Sequence, residues 1–127
     1  MISATTWLAV VLGGAVGAPL RFLVDRAVTV RVAGVEPPRE FPWGLMVVNG
    51  AGSGIAGVVL AATTGDLRVL LLVGLCGALT TFSGFAWEAD RLWSAARSAF
   101  WAAVLVMPLA CIGFFIAAWQ LTRLAVA

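Results

Sequence analysis

The chain has 127 residues, of which 62% are hydrophobic and 11% are charged, and its net charge is +2. Soluble domains are close to half apolar and a quarter charged, so this composition excludes an ordinary soluble domain and indicates an integral membrane protein. The sequence holds no histidine, and both cysteines, Cys76 and Cys111, lie in apolar runs. It therefore offers little for a metal cluster, a hydrolytic triad or a disulfide. We expect neither an enzyme nor a nucleic-acid partner.

Four apolar runs each reach the ~20 residues that a helix needs to cross a ~30 Å hydrocarbon core. They cover approximately residues 6–24, 43–63, 69–87 and 99–120. The pattern predicts an all-α integral membrane protein with one domain over residues 1–127. Its four helices would run alternately up and down, with both termini on one side. The first run lacks a preceding basic stretch and a clear cleavage site, so we interpret it as a span and not as a signal peptide.

Glycines in the first two runs recur at a spacing that brings helices close together. Gly13 and Gly17 lie four residues apart in the first run, and Gly50 and Gly54 repeat this spacing in the second. Small residues at this spacing let helix backbones approach closely where lipid supplies no hydrophobic drive. Ordinary packing explains most of these glycines. Because four spans cannot easily enclose a pore alone, these glycine faces also favour an oligomer.

One charge, Arg21, lies near the end of the first run. An arginine at this depth is costly unless its side chain snorkels to the interface or faces water. Two interpretations stay open. Arg21 is either a snorkelling residue at a helix end or a positive residue at a pore mouth that attracts anions.

The connections between the runs predict different structures. Residues 25–31 could continue the first helix beyond the membrane, and Pro37 and Pro38 would then end it. Residues 64–68 predict a short turn around Gly65. Residues 88–98 are amphipathic and predict a helical extension.

The second run contains a single amide, Asn49, directly before Gly50. Polar side chains at membrane depth usually face the protein interior or a water-filled path. Asn49 is therefore either a hydrogen-bonding link between helices or a pore-lining donor. Its NH₂ group would suit a small anion with a strong demand for hydrogen bonds.

The third run contains a polar stretch flanked by glycines. The hydroxyls of Thr80, Thr81 and Ser83 lie between Gly77 and Gly84 in an otherwise apolar segment. A bilayer has no water to satisfy loose backbone groups, so this pattern predicts a helix broken at mid-membrane around a cavity. Such breaks turn carbonyls and helix ends toward ions.

The eight basic residues are all arginines, and they are unevenly distributed between the two sides that alternating spans would define. The side that holds the termini has two of them, Arg68 and Arg123. The opposite side has the other six, which are Arg21, Arg26, Arg31, Arg39, Arg91 and Arg97. The positive-inside rule places the richer side in the cytoplasm.

Three segments resemble the signatures of the Fluc (CrcB) fluoride channels. Residues 13–21 resemble the first-helix signature, residues 43–53 the second and residues 74–85 the third. They occur in the family's order and cover about the first three quarters of the chain. The resemblance implies a fluoride-selective passive channel of the cell membrane that exports toxic cytosolic fluoride. It also implies a two-fold symmetric dimer of antiparallel subunits with two fluoride pathways along the interface.

The same resemblance implies roles for individual residues in the pore. Asn49 would line the pathway and hydrogen-bond fluoride. Phe82 and Phe85 would meet the anion with their ring edges, which carry the positive part of the aromatic quadrupole. Thr81 and Ser83 would contribute hydroxyls.

A structural sodium ion and a vestibule are also implied by the resemblance. Gly77 and Thr80 would offer backbone carbonyls which, with their symmetry mates, surround a sodium ion that is not transported. Arg21 would match the family's vestibule arginine.

Three departures from the family's pattern bear on assembly. Gly84 stands where the family often has threonine, Leu45 follows Gly44 where threonine is usual, and residues 99–119 hold no hydroxyl, amide or charge. Together with the uneven arginines, these departures favour a second possibility, a heterodimer with a related subunit of opposite charge bias.

A small four-span proton-coupled exporter is the main functional alternative. Such an exporter needs an intramembrane carboxylate to exchange protons for cargo. The four apolar runs contain no aspartate or glutamate within the hydrophobic stretches, which argues against this class.

Overall fold

The computed structural model describes residues 3–33 and 41–126, and all the regular structure in that part of the chain is helical. The elements in chain order are α1 (Ala4–Ala33), α2 (Trp43–Ala62), α3 (Gly65–Arg68), a π-helix (Val69–Cys76), α4 (Gly77–Leu79), α5 (Phe82–Ala95) and α6 (Arg97–Val126).

Within the described residues, four helical stretches are long and apolar enough to cross a membrane, which confirms the predicted class. They are Ala4–Val32, Trp43–Ala62, Gly65–Ala95 and Arg97–Val126. Most of these helices extend beyond the apolar runs into the polar residues that flank them. The continuation predicted for residues 25–31 is part of α1, whereas Pro37, Pro38 and Arg39 lie outside the described residues.

The connection after α2 differs from the predicted turn at residues 64–68. Thr63 and Thr64 have extended backbone, and Gly65, at a φ of +61° that suits glycine, opens a new helix at once. Thr6 Oγ1 donates a hydrogen bond of 3.1 Å to Asp66 Oδ1, which ties the start of α1 to this connection. The predicted extension over residues 88–98 is helical except at Ala96, because α5 ends at Ala95 and α6 begins at Arg97.

Close backbone approach joins α1 to the π-helix. A Cβ atom added to Gly13 would collide with the backbone of Leu70, Gly74 and Leu75, and one added to Gly17 would collide with the carbonyl of Leu75. These two glycines therefore serve packing within the chain. Gly54, in contrast, has open space beside it, where an added Cβ would meet no atom within 4 Å.

The small core lies between α2 and α6. Leu45, Val48 and Met107 are buried there, with Phe85 among the partly buried residues that pack against them. Many large apolar side chains elsewhere are exposed, as expected for helices that face lipid. The core thus holds the middle of α6 against the segment that carries Asn49.

Candidate functional site

Two extended residues separate α4 from α5. Thr80 has φ −82° and ψ 157°, and Thr81 has φ −150° and ψ 122°. Helical hydrogen bonding cannot continue through such dihedrals. The interruption lies within the polar stretch of the third run, between Gly77 and Ser83.

Asn49 hydrogen-bonds both backbone groups of Thr81. Its Oδ1 accepts from the Thr81 N–H at 2.8 Å, and its Nδ2 donates to the Thr81 carbonyl at 3.2 Å. The Asn49 side chain is buried, and its Nδ2 also lies 3.8 Å from Met107 Sδ. A thioether is only a weak acceptor, so this third contact holds the amide hydrogen loosely.

A second side chain caps the start of α5. Thr81 Oγ1 accepts a hydrogen bond of 3.1 Å from the Gly84 N–H, and it lies 3.1 Å from Ser83 Oγ. This is an N-cap, in which a side-chain oxygen satisfies a backbone donor that has no partner in the first turn. The Asn49 bonds and this N-cap together hold the backbone of Thr81 and of the first turn of α5.

These bonds redirect two N–H groups. In a continuous α-helix the Thr81 N–H would donate to the Gly77 carbonyl, and the Gly84 N–H would donate to the Thr80 carbonyl. Here they donate to Asn49 Oδ1 and to Thr81 Oγ1. The carbonyls of Gly77 and Thr80 therefore lose the donors that would satisfy them in an α-helix.

A cavity of 280 Å³ lies beside the interruption. Its lining comprises Asn49, Ser53, Thr80, Thr81, Phe82, Phe85, Met107, Pro108 and Cys111. The rings of Phe82 and Phe85 are 5.8 Å apart between centroids and tilted by 45°. Phe82 is 80% exposed, so one side of this cavity is not covered by the chain itself. We call this space the inner cavity.

A larger cavity of 590 Å³ is also lined in part by Thr81. Arg21, Asp25, Ser83 and Glu88 contribute to its lining, and Thr81 belongs to both cavities. We call it the outer cavity. Among the described residues, Arg21 Nε is buried and has no hydrogen-bond partner. Glu88 Oε2 pairs with Arg91 at 2.7 Å on the same wall.

A groove of 340 Å³ runs along the outside of α4. Gly77 and Thr80 lie in it together with Gly52, Ser53 and Cys111. Gly77 is exposed and has no side chain, so its backbone is accessible from the groove. The two residues predicted to bind the cation, Gly77 and Thr80, therefore both line this groove.

The predicted site residues thus form three groups. Asn49, Phe82 and Phe85 line the inner cavity, and Arg21 and Ser83 line the outer cavity. In the third group Thr81 lines both cavities, Thr80 lines the inner cavity and the groove, and Gly77 lies in the groove.

No sequence signal identifies Met107, because an isolated methionine in an apolar run does not indicate a polar neighbour. Pro108 lies inside α6, which continues without interruption from Arg97 to Val126.

The fold and site define a small multi-pass membrane protein in which a buried amide and two phenylalanine rings lie beside the extended residues Thr80 and Thr81. A family model described as "CrcB-like protein, Camphor Resistance (CrcB)" matches residues 8–120. This chain belongs to that family, as its sequence signatures indicated.

Proteins similar to this chain carry the name of a channel. One from Aeromonas salmonicida, "Fluoride-specific ion channel FluC", is 41% identical over 110 residues, which cover 82% of each chain. "Fluoride-specific ion channel FluC 1" of Streptomyces avermitilis is 43% identical over 91 residues, 68% of this chain and 69% of the relative. "Fluoride-specific ion channel FluC 2" of Mycobacterium bovis is 39% identical over 92 residues, 72% and 69% respectively. These relatives are channels and not enzymes, in agreement with the expectation from composition.

Proposed function

We propose that this protein is a fluoride-selective passive channel of the cell membrane that lets toxic cytosolic fluoride leave the cell. The observation that carries the proposal is the position of Thr81 between two cavities. The outer cavity contains the cationic side chain of Arg21, and the inner cavity contains the amide of Asn49 and the rings of Phe82 and Phe85. An anion would pass from the first to the second.

The inner cavity offers weakly polar groups in place of water. Asn49 presents N–H hydrogens that are held by the Thr81 carbonyl and by a weak sulfur acceptor. Phenylalanine ring edges are the positive part of the aromatic quadrupole and can face an anion. The start of α5 adds the positive end of a helix dipole beside Thr81. In a narrow path these groups would replace the hydration of fluoride and exclude the larger chloride.

A passive pore is sufficient for export. Hydrogen fluoride crosses lipid as a neutral acid and dissociates in a less acidic cytosol, where the anion accumulates. A membrane potential that is negative inside then drives the anion outward. The channel needs no energy source.

A second copy of the chain would complete the pathway. Phe82 is 80% exposed and Gly77 lies at an open groove, although both belong to polar or aromatic clusters that a membrane protein would keep from lipid. We therefore propose an antiparallel dimer with two pores along its interface. The interruption at Thr80 and Thr81 would lie at mid-membrane.

The carbonyl groups beside the interruption fit a structural sodium ion. A hard cation prefers oxygen ligands, and the backbone hydrogen bonds leave the carbonyls of Gly77 and Thr80 without their α-helical donors. These two residues would hold the ion together with their mates in the second copy. Its positive charge would offset the repulsion among converging carbonyls, and it would not be transported.

A heterodimer with a related subunit is the second candidate for assembly. The relatives named FluC 1 and FluC 2 suggest that some organisms carry more than one such chain. The excess of arginines on one side of this chain would suit a partner with the opposite bias. A proton-coupled exporter is less well supported, because the apolar runs lack carboxylates.

Fluoride efflux from liposomes that contain the purified chain alone tests the proposal. A fluoride electrode would record efflux, with chloride-loaded liposomes as the selectivity control. We expect fluoride efflux without chloride efflux. Equal rates for the two anions would contradict the proposed selectivity, and silence from folded protein would exclude the homodimer.

A further inference from the structure

The pore roles proposed for Asn49 and Thr81 do not explain the hydrogen bonds that their side-chain oxygens accept. Each residue uses a side-chain oxygen to accept from a backbone N–H, at 2.8 Å for Asn49 and 3.1 Å for Thr81. These accepted bonds do not themselves serve an anion, because an anion binds to hydrogen donors and not to acceptor lone pairs. They act on the backbone groups whose N–H donors they occupy.

The two N–H groups that donate to these oxygens occupy equivalent positions in the chain. Each lies four residues after a carbonyl that is proposed to hold sodium, so it is the donor that α-helical geometry would bring to that carbonyl. The Thr81 N–H corresponds to the Gly77 carbonyl, and the Gly84 N–H corresponds to the Thr80 carbonyl. Side chains that hydrogen-bond nearby backbone compete with helical bonding in this manner.

We infer that Asn49 and Thr81 are positioning residues for the cation site: their side-chain oxygens withdraw two backbone donors and so keep the Gly77 and Thr80 carbonyls available to sodium. This inference rests on the proposed structural cation and gives Asn49 two separate tasks. Its Oδ1 would prepare the cation site, while its Nδ2 lies against Met107, a second residue of the inner-cavity wall, and would serve the anion path. One side chain would thereby connect the cation site to the anion path.

Two matched pairs of variants separate these tasks. Asn49→Asp keeps an acceptor oxygen, whereas Asn49→Leu removes it at similar volume. Thr81→Ser keeps a hydroxyl oxygen, whereas Thr81→Val removes it at nearly the same shape. Thr63→Val is the control, because the Thr63 hydroxyl donates to the Val59 carbonyl at the far end of α2.

The readout is thermal unfolding of the purified protein in detergent without fluoride, followed by tryptophan fluorescence. Each variant is measured in sodium chloride and in choline chloride, since a ligand that binds only the folded state raises Tm. We expect sodium to raise the Tm of the parent chain, Thr63→Val, Asn49→Asp and Thr81→Ser. In Asn49→Leu and Thr81→Val the half-saturating sodium concentration should rise by about tenfold or more, the equivalent of one lost hydrogen bond.

Full sodium stabilisation of Asn49→Leu or Thr81→Val would overturn the inference. If Asn49→Leu does not fold, the Thr81 pair decides alone. A parent chain that conducts fluoride but ignores sodium would overturn both the cation proposal and this inference. Sodium stabilisation that follows the expected order in a chain without fluoride flux would support the inference while the channel proposal fails.

Discussion

The third and fourth membrane-spanning segments differ in the way each satisfies its backbone. The third contains the interruption at Thr80 and Thr81, where side chains of Asn49 and Thr81 accept backbone hydrogen bonds. The fourth, α6, continues for 30 residues through Pro108. Its segment from residue 99 to 119 has no hydroxyl, amide or charge.

The difference suggests that the third segment carries the polar groups of the site, whereas the fourth supports them by apolar packing. Non-helical backbone is tolerated at membrane depth only where it is buried in protein or lines a cavity. The interruption, which we propose to lie at mid-membrane, would meet this condition because α2 supplies Asn49 and α6 supplies the apolar wall at Met107. We therefore expect substitutions near the interruption to affect fluoride flux strongly and substitutions in α6 to affect it weakly.

The largest effect is expected from Asn49→Asp. The substitution places a carboxylate in the anion path and removes the Nδ2 donor, so fluoride efflux should fall to the background of empty liposomes. Efflux is measured with the fluoride electrode, and thermal unfolding in sodium verifies that the variant is folded. Efflux at the parent rate would remove Asn49 from the pathway.

Phe82→Ile should reduce fluoride efflux by at least about tenfold, because it removes a ring edge that we propose to face the anion. Phe82 is 80% exposed and makes its ring contact with Phe85, so the fold of the single chain should persist. Size-exclusion chromatography is the control for assembly. A dimer with unchanged efflux would contradict the role of the ring.

Arg21→Gln should have a moderate effect that depends on salt. Arg21 lies in the outer cavity, where its charge would concentrate anions before they reach the interruption. We expect efflux to fall a few-fold at low ionic strength and to approach the parent rate at high ionic strength, where the charge is screened. A loss that is independent of salt would indicate a structural role for this arginine.

The smallest effect is expected in α6. Met107→Leu conserves volume in the core and removes only a weak acceptor 3.8 Å from Asn49 Nδ2, so efflux should stay within about threefold of the parent rate. Met46→Leu is the matched control, because Met46 packs against the same core from α2. Loss of efflux in Met107→Leu alone would show that α6 contributes chemistry.

Much of the architecture could be predicted from the sequence. Apolar runs of sufficient length indicated the four helical spans, and three local signatures indicated the family that the comparisons confirm. The hydroxyls between Gly77 and Gly84 mark the segment in which Thr80 and Thr81 are extended. These features depend on short-range pattern, which a sequence displays directly.

Other features depend on contacts between distant residues. Asn49 and Thr81 are 32 positions apart, and no local pattern indicates that the amide accepts from that particular N–H. The π-helix over Val69–Cys76 is equally hidden, because its residues are apolar on every side. Gly13 and Gly17 matched a motif for helix association, but only the structure identifies the π-helix as their partner.

The most direct test of the account compares two phenylalanines under the same substitution. Phe85 lines the inner cavity beside the interruption, whereas Phe114 lies in α6, half exposed and outside that cavity. Fluoride efflux from liposomes would be measured for the parent chain, Phe85→Ile and Phe114→Ile. We expect rapid efflux for the parent and Phe114→Ile and severe loss for Phe85→Ile. Equal efflux from the two variants would contradict it.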